Sequence, residues 1–373
     1  MTGQEAVWYK VYRQLGLTDK QVRDFLVGPG YLGFGWMGCI DGWGGPLGRG
    51  WIDRHAELQK QIVTRERELG MTPVLQGFTG HAPAALEELF PEMKLQKLPS
   101  WCNFPPTYFV DPGDPMFRRI GKMFIEEQTR QFGTDHLYAS DTFIEMTPTD
   151  NDPKFLAEMG GAVYEAMKAG DPEAIWVMQG WVFYFAAKFW QPPQTEALLG
   201  GVPDDRMVLL DLFCESTPVW KRTEAFCGKP WVFSIIHNFG GVVSLYGGLP
   251  QIAANLREAM ASPERGKLSG IGIIMEGFGY NPPVYDYMTE MAWRSEVPQP
   301  ESWIRDFVER RYGRSPQPVL AAYETLQETV YRLSSRTGSI VSARPKLGPG
   351  GAWNSVGTPY DNARLGRAWQ QMV

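Results

Sequence analysis

Two glutamates stand at the ends of apolar segments, a position where parallel-sheet enzymes carry their chemistry. Glu145 lies in SDTFIEMTP between Ile144 and Met146, and Glu276 follows the apolar run in GIGIIMEGF. A carboxyl group in apolar surroundings has a raised pKa unless it is paired, which suits a general acid. Two carboxyls facing each other across a cleft can hydrolyse glycosides, at about 5–5.5 Å for retention and wider for inversion. A strand-end glutamate is also commonly a cap or an ion-pair partner, so both interpretations stay open.

Other acidic residues compete for these roles or support them. Asp211 and Glu215 lie together in DLFCES, at the end of another apolar run. Asp141 precedes Glu145 by four positions and is a candidate to orient it. The pattern alone does not choose between these carboxylates.

Histidines supply a weaker alternative, a catalytic zinc ion. His81, His136 and His237 lie near apolar runs, but no HxH or HExxH spacing occurs, and His136 precedes its run. We therefore expect no metal and no other cofactor. In IIHNFGG, His237 is either a hydrogen-bonding partner of a substrate or a histidine whose ring is satisfied internally.

The loop DGWGGPLGRGW at 41 to 51 is rich in glycine and tryptophan. One interpretation is a turn-rich connection whose tryptophans fill the rim of the fold. The other is that Trp43 forms a flat platform for a sugar, with the glycines allowing close approach of the backbone. The 14 tryptophans of the chain suit a sugar-binding cleft, although most aromatic rings belong in the core.

A repeated order of helix, glycine and strand positions these residues. Apolar residues at helical spacing in WIDRHAELQKQIVTRERELG end at Gly70, and those in MFRRIGKMFIEEQTRQFG end at Gly133. A third helix is predicted after Asp152-Pro153. Seven short apolar runs are predicted strands: YLGFGW, TPVLQGF, HLYASD, AIWVMQGW, MVLLDLFCES, WVFSIIHNF and GIGIIMEGF.

These runs predict an α/β fold with a parallel sheet, because continuous apolarity is typical of strands buried on both faces. An open doubly wound sheet and a closed (β/α)8 TIM-type barrel are the two candidates. No glycine-rich phosphate loop follows a strand, and polar residues gather at the carboxyl ends of many strands. The barrel is therefore favoured, with one strand lacking among the seven.

Bulk properties exclude several classes of function. The chain has 373 residues, of which 43% are hydrophobic, and a net charge of −6 without a basic run, so we expect no nucleic-acid partner. No apolar stretch reaches the length of a membrane span, and MTGQEAVWYKVYRQLG predicts an amphipathic helix rather than a signal peptide. The four cysteines lack zinc spacing and are expected to be thiols, with a Cys214–Cys227 bridge left open. No N-x-S/T sequon occurs.

Taken in order, these segments resemble the α-N-acetylglucosaminidase family, glycoside hydrolase family 89, which includes the lysosomal heparan sulfate enzyme and bacterial and plant relatives. The resemblance runs collinearly over nearly the whole chain. It rests on TGQEAVW, GWGGPL, GMTPVLQGFTGHAP, FGTDHLYASDTFIEM, VYEAM, QGW, LLDLFCES, HNFGG and MEGFGYNPPVYDYM.

The resemblance implies a retaining exo-glycosidase that removes terminal α-linked N-acetylglucosamine (GlcNAc) from a glycan. By position, Glu145 falls on the family's acid/base and Glu276 on its nucleophile. The 2-acetamido group of an α-linked GlcNAc is cis to the leaving oxygen, so an enzyme carboxylate must make the attack. Strand-end position and family motifs together predict these substrate-binding residues: Asp41, Trp43, Gln179, Trp181, His237, Asn238 and Tyr280.

The resemblance also implies missing parts. Family members begin upstream with a small β domain and the first barrel strand, and continue into a large helical domain. Residues 1–335 are therefore expected to form the catalytic barrel without its first strand, and 336–373 the start of the helical domain. The family's lysosomal or secreted location is implied only by the resemblance, because the chain shows no targeting segment, and its oligomeric state is left open.

Four family positions have changed. Cys39 and Asp41 stand in MGCID where the family has an asparagine and a histidine, while Ile144 and Val242 each replace an asparagine. Two rival functions follow: a degenerate or truncated barrel that binds glycans without cleaving them, and an α-glycosidase for a sugar that lacks the acetamido group.

Overall fold

A computed structural model of the chain describes residues 2–239, 245–277, 281–333, 345, 347–348 and 360–373. The fold divides into two compact units. The first comprises residues 1–209 and 226–230, and the second comprises residues 210–225 and 231–373.

The first unit alternates helices with short strands. Its strands are β1 (Leu75–Gln76), β2 (Leu95–Lys97), β3 (Tyr108–Val110), β4 (Leu137–Ala139), β5 (Ile175–Gln179) and the start of β6 (Met207–Asp211). Its helices are α1 (Gln4–Gln14), α2 (Asp19–Phe25), α3 (Leu32–Trp36), α4 (Arg49–Glu68), α5 (Leu86–Leu89), α6 (Pro115–Phe132), α7 (Pro153–Gly170), α8 (Trp181–Phe185) and α9 (Pro192–Gly200), with a 3-10 turn at Pro29–Tyr31.

Within this unit the strand order is β1-β4-β5-β6. Strands β1, β4 and β5 pair in parallel, with Tyr138 opposite Trp176 in the β4–β5 register. Both of these residues are almost fully buried, as expected for strands covered by helices on both faces. Strands β2 and β3 form a separate antiparallel pair.

Local sequence signals set the ends of the helices. Asp114 and Asp152 cap α6 and α7, each accepting a hydrogen bond from a backbone N–H in the first turn. Gly70 and Gly133 follow α4 and α6 with positive φ values of 76°, a backbone conformation that glycine adopts without steric cost. The predicted positions of all three helices are confirmed.

The second unit continues from the end of β6 into β7 (Trp231–Ile235) and β8 (Leu268–Ile273), in the order β6-β7-β8. Its helices are α10 (Glu224–Cys227, which crosses the boundary between the units), α11 (Leu249–Ala261), α12 (Pro282–Met291), α13 (Pro300–Tyr312), α14 (Gln317–Thr329) and α15 (Asn362–Met372). Strands β7 and β8 pair in parallel. All four residues of α10 have φ between 49° and 56°, so this single turn is left-handed.

One predicted strand is wrong. The run YLGFGW forms the 3-10 turn and α3 instead of a strand. Gly35 packs against Val27 so closely that an added Cβ would lie 2.6 Å from its side chain, and Phe34 is 38% exposed. The run therefore covers a surface with its aromatic rings, whereas each of the other six predicted runs contains a strand of the six-stranded sheet.

Candidate active site

The carboxylate of Glu145 is held by two indole rings. The Trp101 Nε1–H donates to Oε2 at 2.9 Å, and the Trp181 Nε1–H donates to Oε1 at 3.0 Å. Glu145 itself is half-buried in the loop after β4, while Trp101 lies in the loop after β2 and Trp181 opens α8 directly after β5. A carboxylate with one donor on each oxygen is fixed in orientation and keeps further lone pairs for a ligand.

The loop that carries Glu145 is ordered by its neighbours. Phe143 has φ of 62°, in the left-handed region, and its ring stacks on Phe109 at 5.3 Å between centroids. The Thr142 hydroxyl donates to the carbonyl of Thr79 at 3.1 Å. These contacts turn the backbone sharply between the end of β4 and Glu145, so that the carboxylate faces the two indoles.

Asp141 links the ends of two neighbouring strands. It is fully enclosed, and its Oδ1 accepts a hydrogen bond from the backbone N–H of Gln179 at 2.6 Å. Burial raises the pKa of Asp141 to about 7, an effect that this hydrogen bond partly offsets. Because Trp181 follows Gln179 by two residues, Asp141 orients the segment that supplies one of the two indoles. Asp141 thus contacts the backbone at the end of β5, and its support of Glu145 stays a prediction.

Cys39 and Asp41, two of the four changed positions, lie in the loop after α3. Cys39 is buried, and burial, with the charge of Glu145 adding to it, raises the pKa of its thiol. The Asp41 Oδ1 lies 2.5 Å from Nε2 of His81, whose ring is 1% exposed and packs near Trp8. The half-buried Asp41 is thus paired with a buried histidine, His81.

The ring of Trp43 is 48% exposed, which makes it available to a ligand. Its edge contacts Tyr31 at 6.4 Å and Phe104 at 5.1 Å between ring centroids. Gly44, directly after it, has φ of 69°. The loop therefore exposes an aromatic surface, which is compatible with both interpretations of its sequence.

In the second unit, Glu276 and Asn238 lie side by side after β8 and β7. The Glu276 N–H donates to the Asn238 carbonyl at 2.9 Å, and the Glu276 side chain is exposed. Asn238 is 3% exposed, and its side-chain nitrogen finds no hydrogen-bond acceptor among the described residues. The Asn238 amide lies against Gly277, where an added Cβ would be 3.2 Å from its nitrogen. A buried amide donor of this kind is suited to bind a polar ligand group.

His237 is satisfied internally. Its ring stacks on Tyr246 at 4.3 Å, with Nδ1 3.2 Å from the Tyr285 hydroxyl and Nε2 3.2 Å from the Tyr246 carbonyl. Burial lowers the pKa of His237 to about 4, so the ring is neutral at pH 7. These contacts favour the second of the two interpretations of this histidine.

The acidic residues of DLFCES hold the backbone together. Asp211 accepts from the N–H groups of Val219 and Trp220, both at 2.9 Å, and Glu215 accepts from that of His237 at 2.5 Å. Burial raises the pKa of Asp211 to about 7 and that of Glu215 to about 8. Their oxygens are thus occupied by structural hydrogen bonds.

Sequence reasoning missed Trp101, which lies in SWCNFPP, a loop without periodicity. The candidates Tyr280 and Val242 lie outside the described residues. Among the described residues, no group of three or more His, Cys, Asp or Glu side chains could hold a metal ion, and no helix is long and apolar enough to cross a membrane. Cys214 is a buried free thiol, so the Cys214–Cys227 bridge is not formed.

Parallel strands separated by helices, with a clamped carboxylate at a strand end, define the class of barrel-type glycoside hydrolases. The family model "Alpha-N-acetylglucosaminidase (NAGLU) tim-barrel domain" matches residues 1–295, and the model for the C-terminal domain of the same proteins matches residues 303–373. The chain belongs to the α-N-acetylglucosaminidase family, and the predicted barrel class of its fold is confirmed. The domain boundary at 335/336 stays a prediction.

Individual relatives agree with this assignment. The human α-N-acetylglucosaminidase is 38% identical over 377 residues, which cover 100% of this chain and 51% of the human protein. A family 89 glycoside hydrolase from Clostridium perfringens, solved in complex with 2-acetamido-1,2-dideoxynojirmycin, superposes with a TM-score of 0.86 at 28% identity, over 100% of this chain and 42% of that one.

A substituted form of the Clostridium perfringens enzyme, solved with its substrate GlcNAc-α-1,4-galactose, gives a TM-score of 0.86 at 27% identity, over 100% of this chain and 42% of that one. The present chain thus spans about half the length of its human relative and less than half of the bacterial ones.

Proposed function

We propose that this chain is the barrel portion of a retaining exo-glycosidase that removes terminal α-linked GlcNAc from glycans. The observation that carries the proposal is the half-buried Glu145 carboxylate, fixed by the indoles of Trp101 and Trp181 at the carboxyl end of the sheet. Membership of the family supplies the sugar, since the named relatives act on or bind GlcNAc-type ligands.

The reaction proceeds in two displacements. In the first, protonated Glu145 gives its proton to the glycosidic oxygen while a Glu276 oxygen attacks the anomeric carbon, forming a glycosyl ester as the C–O bond to the leaving group breaks. In the second, the Glu145 carboxylate takes a proton from water, whose oxygen attacks the anomeric carbon and releases Glu276. Two inversions at one carbon leave the product in the α configuration.

Asn238 and Gln179 fit supporting roles in this scheme. The amide nitrogen of Asn238 finds no acceptor among the described residues and lies beside Gly277, the residue after Glu276, where it can donate to a sugar hydroxyl. Gln179 places the turn before Trp181 through its bond to Asp141. The internal contacts of His237 favour a role in holding Tyr246 and Tyr285 rather than a direct contact with sugar.

Hydrolysis of an aryl α-GlcNAc glycoside by the wild-type chain, Glu145→Gln and Glu276→Gln tests the assignment. Each substitution removes a group that makes or breaks a bond, so turnover is expected to fall by at least about a thousandfold. Proton NMR of the first product should show the α anomer. Near-normal turnover in either variant removes that residue from its role, and a β product contradicts retention.

A second candidate is an α-glycosidase for a sugar without the acetamido group. Ile144 and Cys39 are both buried, and neither offers the amide that the family places there. Comparing aryl α-GlcNAc with aryl α-glucoside separates the two candidates: faster cleavage of the glucoside favours the second. A folded chain that cleaves neither substrate favours a barrel that only binds glycans.

A further inference from the structure

Two of the four cysteines lie in neighbouring loops of the first unit. Cys39 is in the loop after α3, and Cys102 is in the loop between β2 and β3. Both are free thiols, but Cys39 is buried whereas Cys102 is exposed. The proposed mechanism uses neither of them, and Cys39 stands where the family has an asparagine. Two neighbouring thiols, one of them accessible from solvent, can be oxidised to a disulfide.

An aromatic contact connects the two loops next to both cysteines. The N–H of Cys39 donates to the Phe34 carbonyl at 3.1 Å. The ring of Phe34 lies 5.2 Å from the ring of Trp101, measured between centroids, and Trp101 directly precedes Cys102. The backbone of each cysteine is therefore anchored beside the same pair of rings.

A hydrogen bond on the other side of Cys39 also joins the loops. The Thr107 hydroxyl donates to the carbonyl of Gly38 at 2.7 Å, and both partners of this bond are enclosed. Burial raises the pKa of the Cys39 thiol, and the charges of Glu145 and Cys102 add to this effect. The two thiols and the Glu145 carboxyl group thus form one cluster.

The backbone at Cys102 is strained. The N–H of Phe104 donates to the Trp101 carbonyl at 2.8 Å and closes the turn 101–104. The two central residues of this turn, Cys102 and Asn103, have φ of 48° and 66°, in the left-handed region. This conformation is unfavourable for a cysteine, so a rearrangement of the turn releases strain. A new covalent bond at Cys102 can therefore change the turn at low cost.

A low-molecular-weight disulfide, such as oxidised glutathione, is the oxidant of a balanced reaction. The exposed Cys102, as a thiolate, attacks one sulfur of the oxidant, which gives a mixed disulfide and releases one small thiol. Cys39 then gives up its proton and attacks the Cys102 sulfur, and the second small thiol leaves with a proton. The two cysteines lose two electrons, which the oxidant gains.

We propose that Cys39 and Cys102 form a disulfide under oxidising conditions and that this bridge switches the enzyme to a less active state. The bond requires the exposed Cys102 to turn inwards, towards the buried Cys39. Trp101 adjoins Cys102, so its indole leaves the position in which it donates to Glu145 at 2.9 Å. The loss of activity rests on the proposed function, whereas formation of the bridge does not.

Peptide mass spectrometry tests the bridge in the wild-type chain, equilibrated with mixtures of reduced and oxidised glutathione. The expected species is a pair of peptides linked through Cys39 and Cys102, which dithiothreitol separates. The variants Cys39→Ser and Cys102→Ser should lack this species. Cys227→Ser is the matched control, because it removes a half-buried thiol outside the cluster and should leave the link in place.

Hydrolysis of phenyl α-GlcNAc glycoside, whose leaving group requires a proton, tests the switch in the same samples. Oxidation of the wild-type chain and of Cys227→Ser should lower kcat/KM about tenfold, because one hydrogen bond to a charged group is lost. Dithiothreitol should restore it. In Cys102→Ser, kcat/KM should be the same in the oxidising and the reducing buffer.

Three results overturn the inference: no linked peptides at any glutathione ratio, a Cys39–Cys102 link that leaves kcat/KM unchanged, or an equal loss of activity on oxidation of Cys102→Ser. A reduced wild-type chain that leaves the glycoside intact contradicts the proposed function instead. The mass spectra then decide the bridge, and tryptophan fluorescence decides the displacement of Trp101. The fluorescence should change when the wild-type chain is oxidised but not when Cys102→Ser is, and an unchanged wild-type spectrum overturns the displacement.

Discussion

Glu145 receives both of its observed hydrogen bonds from indoles that lie far apart in the sequence. Trp101 precedes it by 44 residues and Trp181 follows it by 36. An indole N–H is a donor only and does not titrate in water, so the two rings orient the carboxylate without adding a second acid or base. In the proposed mechanism, the proton that Glu145 gives and takes therefore belongs to a single group.

Replacing Trp181 by phenylalanine removes one donor and keeps an aromatic ring in place. A hydrogen bond to a charged group contributes about 1.5–3 kcal/mol, so kcat/KM, which reports the first displacement, is expected to fall about ten- to a hundredfold for alkyl leaving groups that require the proton. Dinitrophenyl leaving groups need little protonation and should be affected much less. A series of leaving groups of different basicity measures the difference.

Trp176→Phe is the matched control for this prediction. The Trp176 indole donates to the Ser140 carbonyl at 2.6 Å, so its loss removes a buried indole hydrogen bond that does not involve Glu145. It should lower the thermal stability and leave the dependence on the leaving group as it is. The positioning role of Trp181 is refuted if the loss of activity depends on the basicity of the leaving group equally in both variants. It is also refuted if the loss in Trp181→Phe does not depend on the leaving group.

The sequence predicted Glu145 and Trp181 but not Trp101, for a physical reason. The end of a strand can be recognised in the sequence where an apolar run ends, and Glu145 and Trp181 each follow such a run. Trp101 lies in a loop between two three-residue strands, and only the tertiary path of that loop brings its ring to Glu145. The same local signal marks Glu276 as a candidate carboxylate, while its role as nucleophile is implied by the family resemblance; the roles of both glutamates stay predictions.

At the scale of elements, helical apolar spacing was the reliable signal, because apolar residues that recur every three or four positions mark one face of a helix. The helices α4 and α6 were predicted from apolar spacing and a following glycine, and both occur. Strands β2 and β3 were not predicted; they form their own antiparallel pair apart from the parallel strands, and β2 (LQK) contains no apolar run. The run YLGFGW was wrongly predicted to be a strand. Its residues are of the types found in a buried strand, but its aromatic rings cover a surface.

Gly160 allows two helices of the first unit to pack closely. A Cβ added to Gly160 in α7 would lie 2.2 Å from the Leu198 carbonyl oxygen in α9, which is backbone and cannot move alone. We expect Gly160→Ala to destabilise the fold by about 1–3 kcal/mol, as overpacking of a tight interface does. Urea unfolding followed by circular dichroism measures this change in the free energy of unfolding.

The neighbouring residue offers the control. A Cβ added to Gly161 would meet the Gly201 carbonyl oxygen at 3.5 Å, an ordinary van der Waals contact. Gly161→Ala should be neutral or stabilising by up to about 1 kcal/mol, because alanine favours the helix. If Gly160→Ala and Gly161→Ala change the free energy of unfolding equally, α7 and α9 can move apart without cost.

At the scale of the whole chain, buried carboxyls make stability depend on pH. Burial raises the pKa of Asp141 and Asp211 to about 7 and that of Glu215 to about 8, above the values that these groups have when exposed. Between the exposed and the buried value, the folded chain holds a proton that the unfolded chain has lost. The free energy of unfolding therefore falls as pH rises through this window.

Glu215 dominates the upper end of that window and supplies the last prediction. Between pH 6.5 and 8, its contribution should lower the free energy of unfolding by up to about 1.4 kcal/mol for each pH unit, because ionisation leaves a charge enclosed at 4% exposure. Glu215→Gln removes the titrating group and should flatten this part of a plot of Tm against pH. The exposed Glu296→Gln is the control and should leave the slope as in the wild-type chain. The opposite slope, with Tm rising from pH 6.5 to 8 in the wild-type chain but not in Glu215→Gln, would mean that the two backbone N–H groups bound by Glu215 outweigh its burial and hold it ionised in the folded state.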